Sequence, residues 1–326
     1  MKISVVIPTY NRLNSLKRVL EALDKQVLLE PFEVVVVSDG STDGTDEYLK
    51  TLHPSFHLTA VSQKNQGAAC ARNLGIQRAR GEIILFIDDD VVPTSNLIAE
   101  HLRLFQEKGD QIVVLGPMLS PQEFKLSPWV DWEQCMLVKQ YQAMCQGEWE
   151  PTARQFYTGN ASVKREFLLQ AGGFDPSFKR AEDVELAYRL AEHGLRFFYN
   201  DQAVGYHYAE RSFESWIATP YAYGANDVIF HKQKGQTWIL PNMAKEYRTR
   251  NFLIRLIIYC CLDHGTLSSM TVRLLQHVAL IGTRVIGMWI SNMAFSGIFN
   301  LRYYQGAADQ LGGRQKFFAL VRNGAY

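Results

Sequence analysis

Cysteine is scarce and unpatterned. The 326 residues contain five, Cys70, Cys135, Cys145, Cys260 and Cys261, an odd number with no Cys-x-x-Cys pair. Neither a disulfide framework nor a cysteine-based zinc site is supported, and a reducing compartment fits. No Gly-x-Gly-x-x-Gly and no P-loop sequence occurs, so the phosphate cradles of dinucleotide-binding and P-loop proteins are missing. Long apolar runs are missing too. The opening MKISVVIPTY has one lysine and a five-residue, mostly apolar run ended by Pro8, which reads as a first strand rather than a signal peptide. There is no internal repeat and no low-complexity tract. Acidic residues are nearly absent from residues 244–326, which carry ten basic and three acidic side chains, a net of +7; residues 1–243 carry 24 and 30, a net of −6. An acidic body with a basic tail implies two jobs, the tail's partners being anionic lipid or phosphate rather than nucleic acid.

What is present alternates. With 47% hydrophobic and 21% charged residues, the chain has the means to bury a sizeable core. Residues 3–7, 32–37, 57–62, 82–87 and 112–115 read as strands, and 32–37 is a continuous run suited to burial on both faces. Between them lie helical patterns: one carrying Leu13, Leu16, Leu20 and Leu23, then 43–52, 67–79 and 94–107. Strand–helix alternation at this spacing predicts a mostly parallel α/β sheet with right-handed crossovers. Residues 120–155 lose the alternation. A strand over 156–163, two helices and a return strand over 197–204 follow.

Such sheets bind ligands at the carboxyl ends of their strands. Four polar segments stand directly after strand candidates: 8–12, 38–43, 63–67 and 88–90. Asp88, Asp89 and Asp90 repel one another unless a cation or hydrogen-bond donors compensate, and a hard divalent ion shared with substrate phosphates is the natural compensator. A solvated turn is the plainer alternative. Asp39 suits a base or ribose, or with Asp43 serves only as a turn and cap residue. Glu182 and Asp183 open a helical stretch after GGFDPSF, where a carboxylate either caps the helix or acts as a general base. His207 follows the strand-like FFYNDQAVGY and is a structural histidine or a metal ligand.

Taken in order, Pro8-Thr9-Tyr10-Asn11-Arg12, the run from Ser38 to Thr45, Asn65-Gln66-Gly67 with Ala71-Arg72-Asn73, and Phe86-Ile87-Asp88-Asp89-Asp90 resemble the family 2 glycosyltransferases. Thr158-Gly159-Asn160, Gly172-Gly173-Phe174-Asp175 and Glu182-Asp183 continue the series, so the resemblance covers about residues 1–210. It implies an inverting enzyme of the GT-A fold using a nucleotide-sugar donor with Mn2+ or Mg2+. It assigns Pro8, Thr9, Tyr10, Asn11, Arg12, Asp39, Gly67, Arg72, Asp88 and Asp89 to the donor, with Thr9 and Tyr10 near the base. Asp88, Asp90 and His207 match metal ligands. Asp183 matches the base, Glu182 its supporting partner, and Gly159 and Asn160 the loop that meets a saccharide or lipid-linked acceptor. A processive polymerase is disfavoured, because QKGQTW at 233–238 has no arginine before Trp238.

Two rivals stay in view: a nucleotidyltransferase, although IPTYNR lacks the expected glycines, and a degenerate transferase serving as a scaffold. The implied division is 1–240, with a nucleotide half to 120 and an acceptor half after it, and a basic helical region over 241–326. That tail has apolar stretches broken by Arg273, Arg284 and Arg302, the longest uncharged run being the 17 residues 285–301. A comfortable span needs about 20 predominantly apolar residues. The expectation is therefore a cytoplasmic protein attached peripherally to the inner face of an anionic membrane, the alternative being helices that pack on the catalytic domain or form a homodimer.

Overall fold

Four consecutive valines, 34–37, are fully buried, which only a strand covered on both faces achieves. They form the middle of β2 (Glu33–Ser38), hydrogen-bonded on one side to β1 (Ile3–Thr9) and on the other to β3 (His57–Ser62). The computed structural model describes residues 1–28, 30–282 and 287–323. The described chain forms two compact units, Met1–Lys125 with Gln134–Ala209, and Leu126–Glu133 with Glu210–Tyr326.

The first unit holds a seven-stranded sheet of order β3-β2-β1-β4-β8-β6-β9, where β4 is Ile83–Ile87, β6 Ile112–Leu115, β8 Asn160–Lys164 and β9 Arg196–Tyr199. All pairings are parallel except those of β8, which runs antiparallel to β4 and β6. A three-stranded sheet, β5 (Val91–Pro93), β10 (Gly205–His207) and β7 (Met118–Leu119), lies alongside in the same unit. Helices α1 (Leu13–Leu23), α2 (Thr45–Thr51), α3 (Ala68–Arg78) and α4 (Leu97–Lys108) are the crossovers, and Leu16, Val19, Leu20 and Leu23 bury one face of α1. This is the mostly parallel α/β architecture expected.

Boundaries differ in three places. Residues 156–159 are not strand: turn bonds from Tyr157 N to Gln155 O and from Asn160 N to Tyr157 O delay β8 to Asn160. The return strand over 197–204 breaks at Asn200, whose Oδ1 accepts from Gln202 N and starts a turn, so β9 and β10 are separate strands. The segment that lost its alternation contains an 18-residue helix, α5 (Pro128–Cys145), with proline in its first turn. After it come α6 (Arg165–Gln170) and α7 (Glu182–Glu192).

The second unit is helical: α8 (Phe213–Gln233), which falls inside the 1–240 span that the sequence implies for the catalytic domain, then α9 (Ile239–Thr249), α10 (Phe252–Cys261), α11 (Gly265–Ile281), α12 (Met288–Leu311) and α13 (Arg314–Asn323). Helices α8 and α12 meet backbone to backbone. A Cβ on Gly224 would fall 1.9 Å from Tyr303 O, and one on Gly306 would fall 1.9 Å from Tyr221 O. Tyr303 donates to Asp227 across this crossing and Tyr221 to Asp309. Among the described residues no helix is long and apolar enough to cross a membrane. Arg284, and the first two residues of the 285–301 run, lie outside the described residues.

Candidate active site

Chain order reverses at β1: the next two strands are added on one side of it and β4 on the other. Such a switch point opens a crevice at the carboxyl ends of the two strands. The structure brings the loops after β1 and β4 together there. Strand β1 runs through Pro8 and Thr9, which pair with Val37 and Ser38, so the loop proper is only Tyr10, Asn11 and Arg12. Thr9 Oγ1 donates to Asp89 Oδ2 at 2.7 Å, and Arg12 bridges Asp89 Oδ1 at 3.2 Å and Asp90 Oδ2 at 2.5 Å. Asn11 is in the left-handed region at φ 52°, where asparagine is tolerated, and its Oδ1 accepts from Thr42 N. Tyr10 is half exposed.

The three aspartates have different environments. Burial pushes the Asp89 carboxyl up to about 6, with the Thr9 hydrogen bond and Arg12 opposing. Burial acts on Asp90 too, but hydrogen bonding and charge from His207 and Arg12 outweigh it and hold Asp90 at about 2. Asp88 is the most exposed, and its Oδ1 accepts from Arg72 at 2.8 Å.

Arg72 joins the two ends of the site. It lies on α3, its side chain is only 6% exposed, and its guanidinium holds Asp88 with one nitrogen and Glu182 Oε1 with the other at 2.9 Å. Its guanidinium also lies 5.7 Å from the centre of the Phe174 ring. Beside it, Asn73 donates to Phe174 O and accepts from Phe174 N, both at 2.8 Å. Gly173, at φ 74°, is needed there because a Cβ would fall 2.5 Å from Asn73 Oδ1. The separate motifs around Arg72, Phe174 and Glu182 thus form one latch around a buried cation.

Asp183 follows Glu182 in the first turn of α7, next to that latch. Ala181 before it holds φ 60°, a left-handed conformation disfavoured for alanine. Burial first, then the charge of Glu182, push the Asp183 carboxyl up to about 7; Arg72 and the Val184 N–H, accepted by Oδ1 at 2.8 Å, hold it back. A carboxylate tuned to this range is matched to proton abstraction near neutral pH.

Other expected residues serve the frame. Asp39 is buried, and its carboxylate accepts from Gln63 Nε2, Gln66 N and Gly67 N at 2.7 to 2.9 Å, fastening β2 to the start of α3. Gly67 takes φ 91° and ψ 166°, a conformation essentially reserved for glycine. Asp43 accepts from Leu13 N and from Thr45, the cap role foreseen for it. Gly159 lies against Asp88, whose Oδ2 would be 3.2 Å from an added Cβ. Asn160 is engaged within the fold. It is buried and donates to Pro117 O and Ala203 O, while its Oδ1 faces His101 Nε2 at 2.9 Å. Since both Asn160 donors go to carbonyls, His101 donates through Nε2 and accepts Ser162 Oγ–H at Nδ1, 2.7 Å away. Burial pushes His101 down to about 4, so it is neutral. Sequence inspection missed His101, although it shares the buried side of α4 with Leu97, Ile98, Leu102 and Phe105.

Among the described residues no group of three or more His, Cys, Asp and Glu side chains is arranged to hold a metal. Two groups converge: His207 Nε2 stands 3.5 Å from Asp90 Oδ1. An ionised carboxylate with an imidazole fits Mn2+, and Mg2+ typically takes one or two carboxylates with substrate phosphates, so the pair fits two ligand positions of a divalent ion. Asp88 is separate, engaged by Arg72.

The family model described as Glycosyl transferase family 2 matches residues 4–171, just over half of the chain. The chain belongs to this family. It is 29% identical over 255 residues to an uncharacterized glycosyltransferase of Bacillus subtilis (strain 168), YfnE, the match covering 64% of this chain and 64% of that protein. Among solved structures, Staphylococcus aureus TarS 1-349 in complex with UDP superposes with a TM-score of 0.57 at 20% identity, covering 95% of this chain and 92% of that one. The mannosyltransferase PcManGT of Pyrobaculum calidifontis, in complex with GDP-Man and Mn2+, gives 0.58 at 19% identity, with 93% and 86% covered. At these identities the superpositions establish a shared GT-A fold. The match of 4–171 spans the loops after β1 and β4, Arg72 and Gly159; Phe174, Glu182, Asp183 and His207 lie beyond it.

Proposed function

We propose that this family 2 glycosyltransferase moves a sugar from a nucleotide-sugar donor to an acceptor hydroxyl in a single displacement that inverts the anomeric carbon. The observation that carries the proposal is Arg72, which holds Asp88 of the donor side and Glu182 of the base side on one buried guanidinium. The leaving group and the base are thereby assigned to opposite ends of a pre-set assembly, as an in-line displacement requires.

Asp183 takes the proton from the acceptor hydroxyl as that oxygen attacks the anomeric carbon. The bond from that carbon to the diphosphate oxygen breaks on the opposite face, and the electron pair leaves with the nucleoside diphosphate. Glu182 and Arg72 keep Asp183 in place and set its basicity. Tyr10, half exposed at the end of β1, offers a ring to the base, and Asp88, with its second oxygen beside Gly159, faces the sugar side. Asp39 acts through the loop it fastens, with three of its acceptor positions already filled. Asp90 and His207 would hold Mn2+ or Mg2+, which when bound neutralises charge on the diphosphate. Arg12 neutralises Asp89 and Asp90 from the β1 side. On the acceptor side the role falls to Gly159 rather than Asn160. UDP leads as the donor nucleotide, supported by the UDP complex of TarS, with GDP next from that of PcManGT. The basic region over 244–326 attaches the protein peripherally to an anionic membrane, where a lipid-linked or saccharide acceptor is delivered.

A screen of UDP-, GDP- and dTDP-sugars for released nucleotide, with and without chelator, tests the proposal. Release that needs a divalent ion and yields an inverted product is expected. A scaffold gives no release with any donor, and a nucleotidyltransferase moves the nucleotidyl group and leaves sugar 1-phosphate instead of a nucleoside diphosphate.

A further inference from the structure

Helix α11 is apolar on two sides. Its inner side is fixed to α12: Ser291 Oγ donates to Ala279 O at 2.7 Å, and Gln305 Nε2 donates to Ser268 Oγ. Its outer side carries Leu267, Met270, Leu274 and Ile281 at successive spacings of three, four and seven, hence on one face, and all are exposed, Met270 to 68%. Helix α10 repeats the arrangement: Ile258 and Cys261 are buried, while Phe252, Leu253, Leu256 and Tyr259 are exposed. Trp289, at the start of α12, is 71% exposed. Monomeric soluble proteins rarely present so many large apolar side chains on adjoining helices.

The charges select what covers this face. Helices α10 and α11 contain no Asp or Glu, and Asp263, between them, is the single acid from 247 to 308. Asp263 Oδ2 accepts the Arg314 N–H. Arg255 and Arg273 are exposed on the two helices, and the Arg314 guanidinium lies 4.3 Å over the Tyr259 ring. A second copy docking here would set these cations against their own equivalents. An anionic bilayer complements them: apolar side chains enter the acyl boundary, while arginine and aromatic rings stay at headgroup depth.

We infer that the outer face of α10 and α11 is the surface by which the protein docks on an anionic lipid bilayer. This rests on the membrane attachment proposed above and gives it a location and a lipid class.

Flotation of the full chain with phosphatidylcholine vesicles, with and without phosphatidylglycerol, tests it. Wild type is expected to float only with the anionic vesicles and to be released by high salt. Replacing both Met270→Glu and Leu274→Glu, exposed positions that leave the inner side intact, should lower binding at least tenfold. Arg255→Gln and Arg273→Gln should each lower it about fivefold, the share of one basic residue near an anionic surface. Val27→Glu, an exposed apolar position in the first unit, should change nothing. If wild type floats and the double glutamate variant floats equally, the membrane attachment stands and this face is the wrong one. If wild type ignores anionic vesicles, both fall. A concentration-dependent dimer abolished by the double variant, with no flotation, would assign the face to a second copy and overturn the inference.

Discussion

Asp183→Asn should make the protein more stable while it removes the base. The carboxyl is pushed up from 3.8 to about 7, chiefly by burial. A group whose folded pKa lies above its unfolded value favours folding while protonated, and that advantage disappears as pH rises. For Asp183 the loss runs from about pH 4, where the unfolded chain ionises, to about pH 7, where the folded chain does. Some three pKa units correspond to a penalty on the order of 4 kcal/mol at pH 8, which is a ceiling for the gain on substitution. Asparagine is isosteric and its Oδ1 still accepts the Val184 N–H. Urea unfolding from pH 5 to pH 9 is the assay. Wild-type stability should fall across the interval relative to the variant, and the variant should be the more stable by several kcal/mol at pH 8. A variant less stable than wild type at pH 8, or a difference independent of pH, would refute the account of Asp183 as a desolvated carboxylate.

Arg72→Met should cost about 3 kcal/mol of stability, the lower end for breaking a buried ion pair because Asp88 is partly exposed, and it should move the acidic limb of the pH–rate profile, where turnover rises, to higher pH, since Arg72 holds Asp183 down; unfolding curves and initial rates read both. Asp90→Ala should weaken Mn2+ binding in calorimetry and abolish chelator-sensitive turnover, whereas Asp89→Ala, removing the carboxyl tied to Thr9, should leave more of both. Gly224→Ala should lower the second unit's stability by about 1–3 kcal/mol, because its Cβ would meet the Tyr303 carbonyl; thermal unfolding measures this.

The first 115 residues were nearly legible because burial on both faces forces β-branched runs and the turns between them need glycine, asparagine and aspartate. Strands β3 and β6 fall where the alternation places them. Helix α5 was not legible: its three buried or half-buried tryptophan and tyrosine positions do not repeat at one helical spacing. Asn200 broke a strand through a side-chain turn that residue type alone does not specify. At the site, motif order identified the cast of residues but not their partners. Arg72 reads as a donor ligand until its 16- and 110-residue reaches to Asp88 and Glu182 are seen. Asn160 reads as an acceptor contact until His101, 59 residues earlier, is found against it. Such long-range pairings leave no local trace. The close crossing of α8 and α12 depends on Gly224 and Gly306, 82 residues apart, each unremarked in its own helix.

Deprotonation of the acceptor by Asp183 is read most directly in nucleotide release from the donor identified by the sugar-nucleotide screen, followed against pH for wild type and Asp183→Asn. Wild-type turnover should rise with an apparent pKa near 7, and the variant should bind donor normally, lose that limb and turn over at least ~10²-fold more slowly. Near wild-type turnover by Asp183→Asn, with the same pH limb, would contradict it.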